Sequence, residues 1–232
     1  MMAGQRVALV VPTLNEAESI GPALARAPRD IIDRILVVDG GSRDDTVARA
    51  RAAGAEALAV GRGYGLACWQ GAQAAARDCE IIAFMDGDGA DRVECIGDLV
   101  APIARGEQDF VIGSRTRGTR EPGSLGWHQV FAGRAVGAVL ALTTGERYSD
   151  MGALRAIRRE ALMSLGMREM TFGWNLEMQA KAARRGLRVL EIPVPYSVRF
   201  GGQSKVAGSL GGTVKATVSI ISTLARVLRA PA

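Results

Sequence analysis

Histidine is nearly absent: His128 is the single one in 232 residues, which excludes a metal centre built on several imidazoles. Lysine is scarce as well, with Lys181, Lys205 and Lys215 as the whole set, so positive charge rests on arginine. Cysteine is limited to Cys68, Cys79 and Cys95. An odd, sparse count without metal-ligand spacing excludes a zinc site and a disulfide framework, and predicts buried thiols in a reducing, cytoplasmic compartment. Aromatic residues are 5% and none interleaves with the basic stretches, so no nucleic-acid partner is expected. The longest apolar periodicity, near the C-terminus, is interrupted by Lys215, Arg226 and Arg229, which argues against a transmembrane helix. The start, Met1-Met2-Ala3-Gly4-Gln5-Arg6, runs straight into a strand, so no signal peptide is expected. No G-x-G-x-x-G follows the first strand, which disfavours a dinucleotide-binding dehydrogenase.

What remains is an ordinary globular composition, 48% hydrophobic and 23% charged, with an uneven distribution of charge. Residues 1–154 carry 16 Arg against 20 Asp and Glu, and residues 155–232 carry 13 Lys and Arg against 4 Glu. The balance moves from −4 to +9. A solvated basic helix face accounts for many of these arginines. The sharper reading sets an acidic, cation-binding half beside a basic half that holds phosphate or meets an anionic membrane.

Short β-branched runs alternate with helical patterns. Strands are predicted at Val7–Val11, Ile35–Val38, Ala57–Val60, Ile81–Met85 and Phe110–Ile112. Helices are predicted at Ser19–Ala27, Thr46–Ala53, from Gly65 through Arg77, and at Cys95–Ala104. This alternation implies an α/β fold with a parallel sheet and right-handed crossovers. After Gly113 the pattern changes. Thr116–Gly126 reads as a mobile loop, Val130–Thr143 as an apolar helix, Leu154–Ile157 as a strand and Trp174–Arg185 as a helix. Leu187–Ile192 reads as a further strand and Leu210–Arg229 as a final helix. No repeat or linker is evident, so residues 1–232 read as one domain with a specialised second half.

Two acidic stretches carry the chemistry. Ile35–Val38 runs into Asp39, and Ile81–Met85 runs into Asp86-Gly87-Asp88-Gly89-Ala90-Asp91. Ligands of open α/β sheets bind beyond the carboxyl ends of such strands. An Asp-x-Asp at that edge can share a hard cation with a diphosphate. Turns also favour Asp and Gly without any ligand, and Asp44 and Asp45 read as acids of a capping turn. Pro12-Thr13-Leu14-Asn15-Glu16 occupies a third, adjacent strand-edge position.

The stretches VVPTLNEAESI, ILVVDGGSRDDT, FMDGDGAD, VIGSR, SDMGALRAIRREAL and RFGGQSK resemble, in order and spacing, the inverting family 2 glycosyltransferases of the GT-A fold. The nearest likeness is to the branch of dolichyl-phosphate mannose synthases and bacterial polyprenyl-phosphate glycosyltransferases. The resemblance implies a Rossmann-like, mostly parallel central sheet, with residues 1–114 binding nucleotide sugar and residues 115–232 binding acceptor. It places Pro12, Leu14, Glu16 and Asp39 in the nucleotide pocket. It makes Asp86 and Asp88 diphosphate and metal acids for Mg²⁺ or Mn²⁺, and Arg115 a phosphate or acceptor contact. Arg199 and Lys205 become a clamp over the diphosphate, hinged by Gly201, Gly202 and Gly208. Asp150 and Glu177 are the base candidates, beside the plainer readings of an arginine-paired loop acid and a helix first-turn acid. One departure stands out: Ala90 lies where many relatives carry a glutamine or similar polar group, and Asp91 is the candidate replacement ligand.

The donor is expected to be a UDP-sugar, with guanosine as runner-up. The acceptor is either a lipid-linked phosphate, reached from the inner face of the membrane by peripheral contact, or a soluble hydroxyl. The apolar stripe of the last helix reads as core packing or a homodimer contact, with an in-plane membrane helix as the alternative. Two other functions compete. A haloacid dehalogenase-type phosphatase or phosphotransferase would use Asp86 as nucleophile and Asp88 as acid. A nucleotide-sugar-binding protein would have lost its chemistry.

Overall fold

The computed structural model describes residues 4–201 and 210–229. A seven-stranded sheet has the order β3-β2-β1-β4-β6-β5-β7. Its strands are β1 (Val7–Thr13), β2 (Arg34–Asp39), β3 (Glu56–Ala59), β4 (Ile81–Phe84), β5 (Phe110–Ser114), β6 (Arg155–Arg158) and β7 (Val189–Pro193). The helices are α1 (Ala17–Ala25), α2 (Thr46–Ala52), α3 (Tyr64–Ala75), α4 (Ile96–Ala104), α5 (Trp127–Thr144), α6 (Arg159–Ser164), α7 (Trp174–Arg184) and α8 (Leu210–Arg229). Strands β1, β2, β4 and β5 are buried along nearly their whole length, as apolar runs covered on both faces must be.

The period of two divides these strands between two cores. Ala8, Val10, Leu36 and Val38 face Ala67, Cys68, Ala72 and Ala75 of α3. Leu9, Val11 and Val37 share the other face with Ile20 and Leu24 of α1 and Leu99 and Val100 of α4. Small residues let α3 approach closely: a Cβ at Gly71 would overlap the Val10 and Val38 side chains.

The sheet is mostly parallel, with one reversal that the alternation of elements does not anticipate. β6 runs antiparallel to both β4 and β5. A short apolar run announces a strand but not its direction. Here the chain leaves α5 on the ligand side of the sheet, so the next strand descends. As a result residues 149–155 lie at the same edge as the carboxyl ends of β1, β2, β4 and β5. Helix α6 and a short 3-10 turn at Val93–Cys95 were also not predicted, and α5 begins at Trp127 rather than Val130.

The final helix packs by one edge of its broad apolar stripe. Among its described side chains Thr223 and Val227 are buried, Ile220 and Leu224 lie against the core, and Val218 points outward. Hydrogen bonds fix this rotation. Thr223 Oγ1 donates to Glu169 at 2.8 Å, Arg226 Nη2 to the same carboxylate at 2.6 Å, and the Gly173 N–H to Ser219 Oγ at 3.1 Å. Polar contacts to the loop before α7 therefore choose the face, which apolar spacing alone leaves open.

Helix propensity would favour replacing Gly71, but overlap with two core valines outweighs it. Gly71→Val is expected to lower unfolding stability by about 1–3 kcal/mol, read from the urea midpoint at unchanged slope.

Candidate active site

Turns after β1 and β2 form the first wall. Asn15 adopts a left-handed φ of 51°, which asparagine tolerates better than most residues. Its N–H donates to Ser42 Oγ and its Oδ1 accepts from the Arg43 N–H, both at 2.8 Å, so the two loops are stitched together. Asp39 is buried at the end of β2. It accepts from the N–H groups of Gly41 at 3.0 Å and Ser42 at 2.8 Å, from Thr13 Oγ1 at 3.3 Å and from the Ser42 hydroxyl. These donors fill most of a carboxylate's acceptor capacity, so Asp39 shapes the turn as well as standing at the strand edge. Pro12 is buried within β1, and Leu14 is half-buried beyond it. Asp44, one residue before the N-cap of α2 at Asp45, accepts from the Thr46 and Ala17 N–H groups at 3.1 and 3.2 Å and holds the turn, while Asp45 makes no capping side-chain bond.

The second wall is the acid turn after β4. Tyr64 Oη donates to Asp86 Oδ1 at 3.0 Å, and the Asp86 N–H donates to Asp91 Oδ2 at 3.0 Å. Asp88 Oδ1 accepts from the Ala90 N–H at 3.0 Å. Burial, and then the neighbouring carboxylates, push the Asp86 carboxyl above the usual carboxylate range. Asp91 is raised too, again chiefly by burial. Such crowding is what a divalent cation would relieve, and the donors are hard oxygens. Among the described residues, however, no three His, Cys, Asp or Glu side chains form a metal cage. Asp91, expected as an extra ligand, is buried and uses Oδ2 to hold the Asp86 backbone. The protein therefore offers Asp86 and Asp88, and a diphosphate would have to supply further ligands.

A strand-like segment after β7 covers this turn. The Ser197 N–H donates to the Ala90 carbonyl and the Phe200 N–H to the Asp88 carbonyl, both at 3.0 Å. Arg199 Nη2 reaches Glu16 at 3.3 Å and stands 3.8 Å from Asp88 Oδ2. Arg199 is thus brought to both acids, whereas Lys205, Gly202 and Gly208 lie outside the described residues. Tyr196 links this segment to the loop at 116–126: its N–H donates to the Thr119 carbonyl at 2.9 Å, and its carbonyl accepts from the Glu121 N–H at 3.0 Å.

Arg115 and Asp150 form a buried fork. Arg115 Nε and Nη2 each lie 2.8 Å from the Asp150 carboxylate, and the Arg115 N–H donates to it at 2.9 Å. The guanidinium also stacks 5.0 Å from the Tyr196 ring. Burial opposes ionisation of Asp150, but Arg115 overrides it and holds the carboxyl below its ordinary value. Asp150 thus has the arginine partner of its plainer reading as a paired loop acid. Glu177, the other base candidate, is engaged too. Its carboxylate is buried, accepts from the Arg168 and Glu169 N–H groups at 2.9 and 2.7 Å, and pairs with Lys181 at 2.9 Å. It braces the loop before α7. Tyr64 and Tyr196, beside these acids, lie outside the motifs read from the sequence, and Phe200 lies within RFGGQSK without a role having been assigned to it.

The α/β sheet thus gathers two acid-bearing strand edges under a segment that carries Arg199. The Glycosyl transferase family 2 model matches residues 8–166, more than half of the chain, and the protein belongs to that family. It is 39% identical over 216 residues to an uncharacterized glycosyltransferase of Mycobacterium tuberculosis, covering 92% of this chain and 95% of that one. It is 30% identical to the undecaprenyl-phosphate mannosyltransferase of Micrococcus luteus, covering 92% and 93% of the two chains. A crystal structure of glucosyl-3-phosphoglycerate synthase from Mycobacterium tuberculosis, in complex with Mn²⁺, UDP-glucose and phosphoglyceric acid, superposes with a TM-score of 0.79. That match is at 24% identity over 99% of this chain and 82% of the other, and it shows the GT-A fold. The protein is therefore a glycosyltransferase, and family membership decides against the phosphotransferase alternative.

Removing one partner of a buried ion pair leaves the other charge unpaired. Arg115→Met is expected to cost about 3–5 kcal/mol near neutral pH. The folded pKa of Asp150 is depressed, so the pair stabilises above the ordinary carboxyl range and loses that contribution as pH falls through the folded value. The penalty in Arg115→Met should shrink in acid, where Asp150 can protonate, and urea titrations at neutral and mildly acidic pH read the difference.

Proposed function

We propose that the protein transfers a hexosyl group, with inversion, from a UDP-sugar to a polyprenyl phosphate at a membrane surface, with Mg²⁺ or Mn²⁺ as cofactor. In this reading residues 1–232 form one catalytic unit, with its donor side in 1–114 and its acceptor side in 115–232. The observation that carries it is the Asp86–Asp88 turn roofed by Arg199 at the edge formed by β1, β2 and β4. A cation held between these acids and the diphosphate would neutralise charge on the departing nucleotide. Glu16, Leu14, Pro12 and the Asp39 turn form the wall for the nucleoside. Arg199 is placed to exchange its acid partners for phosphate oxygens, which a guanidinium binds well.

The acceptor follows from two features. Asp150 and Glu177, the two candidates for a base, are both engaged by hydrogen bonds and ion pairs. A phosphate acceptor, already ionised near neutral pH, needs little base. Helix α5 also presents Trp127, Phe131 and Leu142 outward at 82%, 69% and 88% exposure. Arg117, Arg120, Arg134 and Arg147 are exposed around it, against Glu121 and Glu146. Aromatic and aliphatic groups rimmed by arginines suit an anionic bilayer. No described helix is long and apolar enough to cross a membrane. The undecaprenyl-phosphate mannosyltransferase and the dolichyl-phosphate hexose transferase of Haloferax volcanii, 32% identical over 89% of both chains, support a lipid-phosphate acceptor by their names. The UDP complexes of the structural neighbours support the base.

UDP and Mn²⁺ should each strengthen binding of the other, and Asp88→Ala should abolish the metal-dependent part while leaving the fold intact. Calorimetry showing undiminished binding in that variant would overturn the site, and GDP displacing donor far better than UDP would overturn the base. Binding without turnover of any nucleotide sugar would instead mark a protein that has lost its chemistry.

Phe131→Glu combined with Leu142→Glu should weaken association with anionic liposomes about tenfold or more, since each buried apolar side chain contributes about 1.5–3 kcal/mol. Flotation with and without polyprenyl phosphate measures this. A protein that stays in solution and glycosylates only a water-soluble alcohol would refute the lipid acceptor.

A further inference from the structure

We infer that Arg26 is a positioning residue that sets the acid turn and the covering segment in one geometry for cation binding. Arg26 is the residue that ends α1, and its guanidinium leaves the helix toward the acid turn. Nη2 donates to the Gly89 carbonyl at 2.9 Å and to the Asp91 carbonyl at 3.2 Å. Nη1 stands 3.6 Å from Glu94. The guanidinium carbon lies 4.8 Å from the centre of the Phe200 ring. Phe200 in turn covers Gly89, where a Cβ would overlap the ring and where φ is +79°, so the turn admits glycine there and little else.

One cation therefore grips the backbone on both sides of Ala90 and stacks on the segment that carries Arg199. The Asp88 carboxylate is oriented by the Ala90 N–H, and its backbone carbonyl receives the Phe200 N–H. Loosening the Gly89 and Asp91 carbonyls would release Asp88 from both sides at once. A lysine keeps the charge but loses the fork that reaches two carbonyls. Arg26 lies beyond every motif that carries the family resemblance, and it contacts no acid of the Asp86–Asp88 pair directly, so its effect is one of placement. The inference rests on the cation-binding reading of this turn.

The test compares wild type with Arg26→Ala, Arg26→Lys and Phe200→Leu. Mn²⁺ binding in the presence of UDP is followed by paramagnetic resonance, and hydrogen exchange across 86–91 and 196–200 is followed in the metal-free proteins. Arg26→Ala should weaken Mn²⁺ binding about tenfold, as expected for losing hydrogen bonds made by a charged group, and should speed exchange in both segments together. Arg26→Lys should recover part of the affinity. Phe200→Leu, which keeps the carbonyl bonds, should speed exchange at 196–200 with a smaller loss of affinity. A lower melting temperature with unchanged Mn²⁺ affinity, or faster exchange in one segment alone, would overturn the inference. If wild type binds neither Mn²⁺ nor UDP, the functional reading fails first. Synchronous exchange in metal-free Arg26→Ala would still establish the mechanical link.

Discussion

Three carboxylates in one turn, Asp86, Asp88 and Asp91, repel one another, and much of the surrounding structure holds them together. The turn cannot escape this crowding by opening outward. Its carbonyls are held by Arg26 and by the N–H groups of Ser197 and Phe200. It cannot fold inward either, because β4 below it is fully buried. Tyr64 donates a hydrogen bond to one acid, and Asp91 turns its oxygen to the Asp86 backbone. What remains is a concentration of negative charge at a sheet edge, stable enough to persist and uncomfortable enough to favour a cation.

The arginines divide into those that build this edge and those that face it. Arg115 is locked to Asp150 and stacked on Tyr196, and so connects β5 to the descending loop before β6. Arg155 is fully buried and donates to the Gly152 carbonyl and, at 3.2 Å, to the Asn175 carbonyl, so it pins that loop from beneath. Glu191 completes the frame by accepting from the Ser149 N–H at 3.0 Å. The reversed strand β6 makes this frame possible, since a parallel strand would have sent residues 149–155 to the opposite edge. Buried ion pairs of this kind contribute little net stability, but they fix geometry, and breaking them is costly.

Much of the first half of the sheet was legible in the sequence for simple reasons. β1, β2 and β4 are short apolar runs that lead into Pro12-Thr13, Asp39 and Asp86, and buried strands leave few other readings. The acid turn follows from its position after such a run. The second half was harder. The direction of β6 is set by where α5 ends, not by residues 155–158. Within the broad apolar stripe of α8, the edge that packs is the one whose Thr223, Arg226 and Ser219 bond to the loop before α7, which apolar spacing does not encode. For Asp150 an arginine partner was foreseeable but not which arginine, and for Glu177 the first turn of a helix showed no bonded partner. Their partners, Arg115 at 35 positions away and the Arg168 and Glu169 amides, exist only once the chain has folded.

Arg199 shows how the two sides are joined electrostatically. In the structure its guanidinium lies between Glu16, which opens α1, and Asp88, which belongs to the acid turn. One positive charge thus partly compensates two walls of the site. A diphosphate entering alone would meet these acids and be repelled; a cation entering alone would compete with Arg199. In the proposed function, a cation would take the carboxylates and the diphosphate would take the arginine, so each would remove the obstacle to the other. This exchange has the form of a coupling free energy between two ligands, which must be reciprocal. Such an exchange would suit a segment tied by its backbone to the turn that Arg199 faces. A clamp that floated free would lose its place during the exchange, whereas one anchored at Ser197 and Phe200 can release a side chain and keep its position.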